Sequence, residues 1–286
     1  MNLKTDKQKE ALKQLEKLFK GLTPKPPKPN LGSAATAETK GTIMSKTPWY
    51  TLMDAALKAR VYRTSLEGPP GFGKSWFGRA WAESQDPPWK HHKVNLTPVT
   101  DYSELVGHYM IQENNFVWAD GYITRAWNES HEDDVPGVII QLEEISHAGP
   151  DCQSTLHNVL DDEDSAVLHL PTGEEVRPAK GKVLYIATMN DSIGDLREAL
   201  ADRFTANIKV DSPHPGILSL FSEEYIRQAA LKTAVAPGDR RLSMRKWIDW
   251  ERNRQHMSDT LAGELVFGDA YERVLDALEV AKGAQS

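Results

Sequence analysis

Gly68-Pro69-Pro70-Gly71-Phe72-Gly73-Lys74-Ser75 decides the fold of this chain, because it matches the pattern of a glycine, any four residues and then Gly-Lys-Ser. The stretch follows an extended-looking run over residues 61–67 and precedes a helical pattern over residues 76–83. A loop between a strand and a helix directs its backbone N–H groups and the helix N-terminus toward one point, where a phosphate binds. The sequence therefore predicts a phosphate-binding loop.

The side chains of this loop predict individual contacts. Its three glycines permit a close backbone approach that a Cβ atom would block. We expect Lys74 to reach the β and γ phosphates of a nucleotide and the Ser75 hydroxyl to bind Mg²⁺. The residues predicted to contact the nucleotide are Gly68, Pro69, Pro70, Gly71, Phe72, Gly73, Lys74, Ser75 and Trp76.

The composition is typical of an ordinary globular protein. The chain has 286 residues, enough for a sizeable core and for more than one domain. It contains no run of 18 apolar residues and no apolar segment of the kind found in signal peptides, so we expect a cytoplasmic protein that does not bind membranes. Its one cysteine, Cys152, excludes an internal disulfide and is typical of a reducing compartment.

Charge is distributed unevenly along the chain. Residues 1–46 contain ten lysines and four acidic residues, which gives them a net charge of +6. Because the whole chain has a net charge of −7, the remaining residues have a net charge of −13. Leucines at helical spacing predict a short amphipathic helix within residues 1–22, and four prolines within residues 24–29 predict an extended spacer. We interpret residues 1–46 as a basic, flexible arm with a proline-rich linker. The acidic remainder argues against general nucleic-acid binding.

Alternating strand and helix patterns after the loop predict an α/β fold with a parallel sheet. A helix over residues 47–59 is expected to lead into the first strand. The predicted strands are 62–67, 92–96, 137–142, 183–188 and 206–210, and the predicted helices between them are 75–84, 150–161 and 194–201. Two predicted hairpins, over residues 109–118 and 167–176, interrupt this alternation, with turns at Asn114-Asn115 and Pro171-Thr172-Gly173.

Strand patterns cease at residue 213. Residues 218–233, 243–256 and 269–282 predict helices, so the C-terminal part is expected to be a helical subdomain. We therefore predict three parts: the arm over 1–46, an α/β nucleotide-binding core over 47–212 and a helical subdomain over 213–286.

Two carboxylates end the apolar strand that begins at Val138. Successive side chains of a strand face opposite ways, so Glu143 and Glu144 are not expected to act as one acid pair. One could lie near the metal while the other orients or activates a water for attack on the γ-phosphate.

Together these motifs resemble those of the AAA+ ATPases, and within them the MoxR-like, dynein-related branch. Besides the phosphate loop, which resembles Walker A, the chain has a Walker-B-like Leu142-Glu143-Glu144-Ile145 and an Ala187-Thr188-Met189-Asn190 that is similar to sensor 1. Residues 199–204 resemble the arginine-finger segment, and residues 242–245 resemble sensor 2. Residues 105–107 and 118–126 resemble the insert in helix 2 of this branch, and residues 167–178 resemble its hairpin before sensor 1. The resemblance covers residues 47–286.

The resemblance implies a role for each matching residue. Glu143 would serve the metal and Glu144 the attacking water, and Asn190 would hydrogen-bond either that water or the γ-phosphate. Arg203 would be the arginine finger, with Arg197 as the competing candidate and an ion pair with a carboxylate as the structural alternative. Arg245 would report nucleotide state from the helical lid, although Arg240 and Arg241 are close to it in sequence. The family has aspartate where this chain has Glu143, and the added methylene group must fit near Mg²⁺.

The resemblance also implies an ATPase that binds Mg-ATP between an AAA+ core and a helical lid, forms a ring expected to be a hexamer, and remodels a protein partner. A partner with a von Willebrand A domain would fit this branch. One alternative is a motor subunit that acts on nucleic acid, although the 109–118 hairpin has no basic residue and residues 167–178 offer only Arg177. Another is an ATP-dependent scaffold that hardly hydrolyses, which Glu143 would favour.

Overall fold

A parallel sheet of five strands forms the centre of the protein. The computed structural model describes residues 47–236, 238 and 241–284, so the predicted arm and Arg240 lie outside the described residues. The five strands are β1 (Arg63–Glu67), β2 (Lys90–Asn95), β5 (Val138–Glu143), β8 (Val183–Met189) and β9 (Ala206–Lys209). They lie in the order β2-β5-β8-β1-β9, and each neighbouring pair is parallel. All five strands were predicted from the sequence, within two residues at each end.

Helices cover both faces of this sheet. The N-terminal part contains α1 (Trp49–Lys58), α2 (Lys74–Ser84), α3 (Tyr102–Leu105), α4 (Tyr122–Ser130), α5 (Pro150–Val159) and α6 (Glu198–Ala201). The central strands β5 and β8 are buried along their whole length. Their side chains alternate between two apolar clusters, one on each face of the sheet. Ile139 and Ile186 pack in the cluster that contains residues of α1 and α2. Ile140 and Tyr185 pack in the cluster that contains residues of α4 and α5.

This topology gathers the ends of three neighbouring strands. Strands β5, β8 and β1 are adjacent and parallel, so the residues that follow them lie at one edge of the sheet. Glu144 follows β5, Asn190 follows β8, and the phosphate-loop stretch at 68–75 follows β1. Ligands of open parallel sheets bind at such an edge.

Two small hairpins form separate two-stranded sheets. The first pairs β3 (Gly107–Gln112) with β4 (Asn115–Asp120), and the second pairs β6 (Leu168–His169) with β7 (Glu175–Val176). The predicted turn of the first hairpin, at Asn114-Asn115, was wrong by one residue. Gln112 pairs with Asn115, so the turn consists of Glu113 and Asn114, whose φ angles are +51° and +65°. Two positive φ angles are what a tight hairpin turn requires.

The C-terminal part is helical, which confirms the predicted fold class. It contains α7 (Pro215–Leu218), α8 (Glu224–Ala234), α9 (Met244–Asn253), α10 (Asp259–Phe267) and α11 (Tyr271–Gly283). Serines begin two of these helices: Ser243 Oγ accepts a hydrogen bond from Arg245 N, and Ser258 Oγ from Leu261 N. Trp247 and Trp250 are buried in the apolar cluster that also contains α1 and α2.

Several helices differ from the sequence prediction. Helices α3, α4, α7 and α10 were not predicted, and the helix predicted over 194–201 is wrong. Ser192 and Asp195 form a reciprocal capping box around a 3₁₀ turn at Ile193–Asp195, and Leu196 then returns to extended backbone, so only α6 is helical. Side chains that satisfy nearby backbone groups compete with a continuous helix in this way.

Among the described residues, no helix has the length and apolar character needed to cross a bilayer.

Candidate functional site

The loop between β1 and α2 has the backbone that a phosphate site requires. Gly71 and Gly73 have φ angles of +84° and +99°, in the region that favours glycine. A Cβ atom on Gly71 would lie 2.9 Å from Arg245 N at the start of α9, and one on Gly73 would lie 3.0 Å from His214 Cβ. The loop is therefore packed directly against the C-terminal helices, with no room for side chains at these positions.

Lys74 is a buried cation whose hydrogen bonds all go to neutral groups. Its Nζ atom donates to the carbonyl oxygens of Gly68 and Pro69 and, at 3.0 Å, to Oδ1 of Asn190. Burial lowers the pKa of Lys74 to about 8, although Glu144 and Glu143 act in the opposite direction. An anionic phosphate beside Nζ would offset this burial cost, so the residue fits a phosphate ligand.

Ser75 and Glu143 form a pair of hard oxygen donors below the loop. Ser75 Oγ donates to Glu143 Oε2 at 2.6 Å, and Lys93 Nζ lies 3.3 Å from the same oxygen. The described residues contain no group of three or more His, Cys, Asp or Glu side chains that could hold a metal alone. Mg²⁺ in nucleotide sites is held by one or two protein oxygens together with phosphates and waters, so this pair fits it.

Glu144 and Asn190 extend the same polar group of side chains. Asn190 Nδ2 donates to Glu144 Oε1 at 2.7 Å, while its Oδ1 accepts from Lys74. Asn190 thus connects the cation to the second carboxylate. The other oxygen of Glu144, Oε2, is buried and has no hydrogen-bond partner among the described residues.

Lys74, Ser75, Glu144 and Asn190 line a cleft of about 220 Å³ between the sheet edge and the C-terminal helices. Its lining residues are Pro70, Gly71, Gly73, Lys74, Ser75, Trp76, Glu144, Thr188, Asn190, Ile217, Arg245 and Ile248. Glu143 is buried in contact with Ser75 and does not line the cleft. Gly68, Pro69 and Phe72 do not line the cleft: the first two accept hydrogen bonds from Lys74, and the Phe72 ring is fully buried in the core.

Sequence reasoning missed Thr188, Ile217 and Ile248. Ile217 and Ile248 come from α7 and α9, and together with Trp76 they give one end of the cleft an apolar lining. No spacing rule connects these positions to a loop more than 140 residues earlier in the chain. Only the packing of the C-terminal helices on the loop brings them together.

The structure places the predicted arginines in two different regions. Arg245 lines the cleft, and the charge of Arg241 contributes to the lowered pKa of Lys74. Arg203 does not line the cleft. Its Nη1 atom pairs with Asp161 Oδ1 at 2.8 Å, and Arg197 lines a separate pocket beside His157.

His214 connects the loop to α7 and predicts a measurable pH dependence. Its Nδ1 atom accepts a hydrogen bond from Gly216 N at 3.0 Å, and its ring lies among those of Trp49, Tyr50 and Trp76. Burial lowers its pKa from 6.5 to about 4. A lowered histidine pKa stabilises the fold above about pH 6.5, and this contribution is lost as pH falls toward about 4.

We expect His214→Asn, which keeps a capping acceptor, to remove this contribution. Between about pH 7 and about pH 5 the free energy of unfolding should fall less in the variant than in the parent, by roughly 2 kcal/mol. Urea unfolding at both pH values measures the difference. Equal losses in the two proteins would contradict the prediction.

Comparisons with known proteins agree with this geometry. The family model of the AAA domain, dynein-related subfamily, matches residues 64–204. Protein NorQ of Paracoccus denitrificans is 30% identical over 154 residues, which cover 52% of this chain and 53% of NorQ. The denitrification regulatory protein NirQ of Stutzerimonas stutzeri is 29% identical over 129 residues, which cover 43% of this chain and 41% of NirQ. The chain thus spans about half the length of these relatives.

A solved structure extends the agreement to the fold of a larger part of the chain. NtrX from Brucella abortus, in complex with ATP, has a TM-score of 0.50 at 17% identity, covering 91% of this chain and 60% of that one. At this identity the likeness shows the fold alone. The family match, together with the parallel sheet and the loop geometry, identifies residues 64–204 of this chain as an AAA domain of the dynein-related subfamily.

Proposed function

We propose that this protein binds Mg-ATP in the cleft and hydrolyses it. The observation that carries the proposal is the continuous set of contacts from Lys74 through Asn190 to Glu144, beside the pair of Ser75 and Glu143. Lys74 would hold the β and γ phosphates, Ser75 and Glu143 would hold Mg²⁺, and Glu144 with Asn190 would orient the attacking water. Bound Mg²⁺ would supply charge neutralisation at the phosphates.

The position of Arg203 supports assembly as part of the function. A finger that acts on its own chain's nucleotide would be expected in the cleft, whereas Arg203 lies outside it. We therefore propose a homo-oligomeric ring, expected to contain six subunits, in which Arg203 reaches the nucleotide of a neighbouring subunit. Turnover would move the C-terminal helices, which contact the loop through Arg245 and His214, against the sheet.

The work of such a ring would be the remodelling of a protein partner. The β3–β4 hairpin presents exposed apolar side chains, with Ile111 70% and Phe116 77% exposed, and contains no lysine or arginine. Such a surface suits a protein better than a nucleic acid. NirQ is described as a regulatory protein. For this chain we specifically propose a protein partner that contains a von Willebrand A domain.

Two rival functions make different predictions for one experiment, the ATPase rate with and without DNA. DNA would stimulate the ATPase rate of a nucleic-acid motor. The structure does not favour this rival, because Arg177, the basic residue of the second hairpin, is paired with Glu175 at 3.6 Å. A scaffold would bind ATP with almost no turnover in either condition. We expect measurable ATP turnover that DNA does not change. The rate per subunit should rise with protein concentration as subunits assemble.

Nucleotide binding itself is tested by Lys74→Ala. Removal of the ammonium leaves the phosphate charge unmatched, so we expect affinity for ATP to fall by about 100-fold or more, as for loss of charge-assisted hydrogen bonds worth about 3 kcal/mol. Calorimetric titration with ATP measures the change. Lys180→Ala removes a cation that pairs with Asp164 at 2.6 Å and does not line the cleft, so it is the control and should retain the affinity. Unchanged affinity in Lys74→Ala would refute the assignment of the cleft.

A further inference from the structure

A glutamine is buried in the central strand next to the proposed metal site. Gln141 is fully buried in β5, where the neighbouring side chains Ile140 and Leu142 are apolar. It lies two residues before Glu143 and therefore faces α2, as Glu143 does. A buried carboxamide is costly unless each of its polar atoms has a partner.

Every polar atom of this carboxamide has a partner. Nε2 donates to Glu143 Oε1 at 2.7 Å and also lies 3.4 Å from the carbonyl oxygen of Lys74. Both of those oxygens can only accept, so the amide nitrogen must face them. Oε1 then lies 2.8 Å from His91 Nε2, which must carry the proton of that contact. The orientation of the carboxamide is thereby fixed from both sides.

Helix α2 leaves space for this carboxamide at one position. A Cβ atom on Gly78 would lie 2.3 Å from Gln141 Oε1. Glycine inside a helix costs about 1 kcal/mol relative to alanine, so its presence in α2 needs a compensating contact. The space that it leaves for Gln141 supplies one.

The carboxylate of Glu143 is consequently held at both oxygens. Gln141 occupies Oε1, while Ser75 and Lys93 contact Oε2. Glutamate has one more methylene group, and thus one more rotatable bond, than the aspartate of related Walker B motifs. Its carboxylate would need an additional contact to point at Ser75 with equal accuracy.

We propose that Gln141 is a positioning residue that holds Glu143 Oε2 toward Ser75 and thereby sets the affinity of the nucleotide complex for Mg²⁺. The inference rests on the proposed function, because it concerns the Mg²⁺ that accompanies ATP. Gln141 is needed to orient the longer side chain of glutamate at position 143, and it should matter much less when that residue is aspartate.

The test is a Mg²⁺ titration of the binding of a fluorescent ATP analogue to the full chain. In Gln141→Leu the Mg²⁺ concentration at half-saturation should rise by about tenfold, the usual effect of losing a group that orients a metal ligand. Affinity for the analogue in EDTA should stay within about twofold, because no phosphate contact is removed. In the Glu143→Asp background, the same substitution should change the half-saturation point by no more than about twofold.

Two further variants separate positioning from general damage to the fold. Gly78→Ala should displace the Gln141 amide and reproduce the shift by a different route, again with little effect in the Glu143→Asp background. Thr64→Val removes a buried side-chain hydrogen bond to Tyr185 O in the same sheet, away from Glu143, and should leave the Mg²⁺ titration unchanged.

The outcomes are distinguishable. A parent protein whose nucleotide binding ignores Mg²⁺ would refute the proposed function itself. A parent that responds to Mg²⁺, with Gln141→Leu and Gly78→Ala titrating as the parent does, would overturn the role of Gln141. An equal shift in the glutamate and aspartate backgrounds would also overturn it, because the effect would then not pass through the length of residue 143.

Discussion

Glu144→Gln is expected to leave ATP bound while turnover falls on the order of 10³-fold, within the range for loss of a general base. The variant keeps the shape of the side chain and its contact with Asn190 but removes the charge that would accept a proton from water. The Ser75–Glu143 pair is untouched, so nucleotide and Mg²⁺ should be retained. Retention of radiolabelled ATP after gel filtration, together with the steady-state rate, measures both effects.

The neighbouring carboxylate supplies the matched control. Glu143→Gln removes a charge from the group that contacts Ser75, so Mg²⁺ dependence and nucleotide retention should weaken together. The two variants should therefore differ in nucleotide retention: Glu144→Gln should keep ATP bound for a long time, whereas Glu143→Gln should lose it. Parent-like hydrolysis in Glu144→Gln, or trapped ATP in Glu143→Gln, would show that the two roles are assigned wrongly.

The separate hydrogen-bond partners of Glu143 and Glu144 illustrate what the sequence can predict. Alternation along a strand predicted that the two carboxylates would not act as one pair, and the structure gives each its own partners: Ser75 for Glu143 and Asn190 for Glu144. The backbone adds a feature that alternation does not include, since Glu144 has a φ angle of +55°. Motif spacing identified these side chains because the ends of adjacent parallel strands must meet.

Contacts between distant segments were beyond the sequence argument. Gln141 lies inside an apolar strand pattern, and its partners Gly78 and His91 belong to other elements. Ile217 and Ile248 reach the cleft only because α7 and α9 pack on the loop. Local periodicity predicts which face of an element is buried but gives no information about which remote residues cover it.

The helix predicted over 194–201 is interrupted for a local reason. The capping box of Ser192 and Asp195 closes a short 3₁₀ turn, Leu196 then has extended backbone, and Arg197 is the N-cap residue of α6. Arg197 and Arg203 are therefore presented by different local structures, although both lie near His157. Sequence spacing alone left the choice between them open.

Arg203→Ala is expected to lower ATP turnover on the order of 10³-fold while ATP affinity changes by no more than a few-fold. In the single chain, Arg203 is paired with Asp161 at 2.8 Å and lies outside the cleft, so its removal takes no contact from the chain's own nucleotide site. Its planar guanidinium group is suited to the charge of a transferring phosphoryl group on an adjacent subunit. Arg197→Ala is the control, and a larger loss in that variant would make Arg197 the finger.

Mixing two inactive variants tests whether the arginine acts between subunits. Lys74→Ala subunits would not bind ATP but would still present Arg203, whereas Arg203→Ala subunits would bind ATP without presenting the finger. At an interface where the second kind holds ATP and the first kind supplies Arg203, every required group is present. Mixtures should therefore regain part of the parent rate, with a maximum at intermediate ratios. If no mixture exceeds the sum of its separate components, and the parent's specific activity is constant down to the lowest protein concentration, Arg203 does not act across subunits.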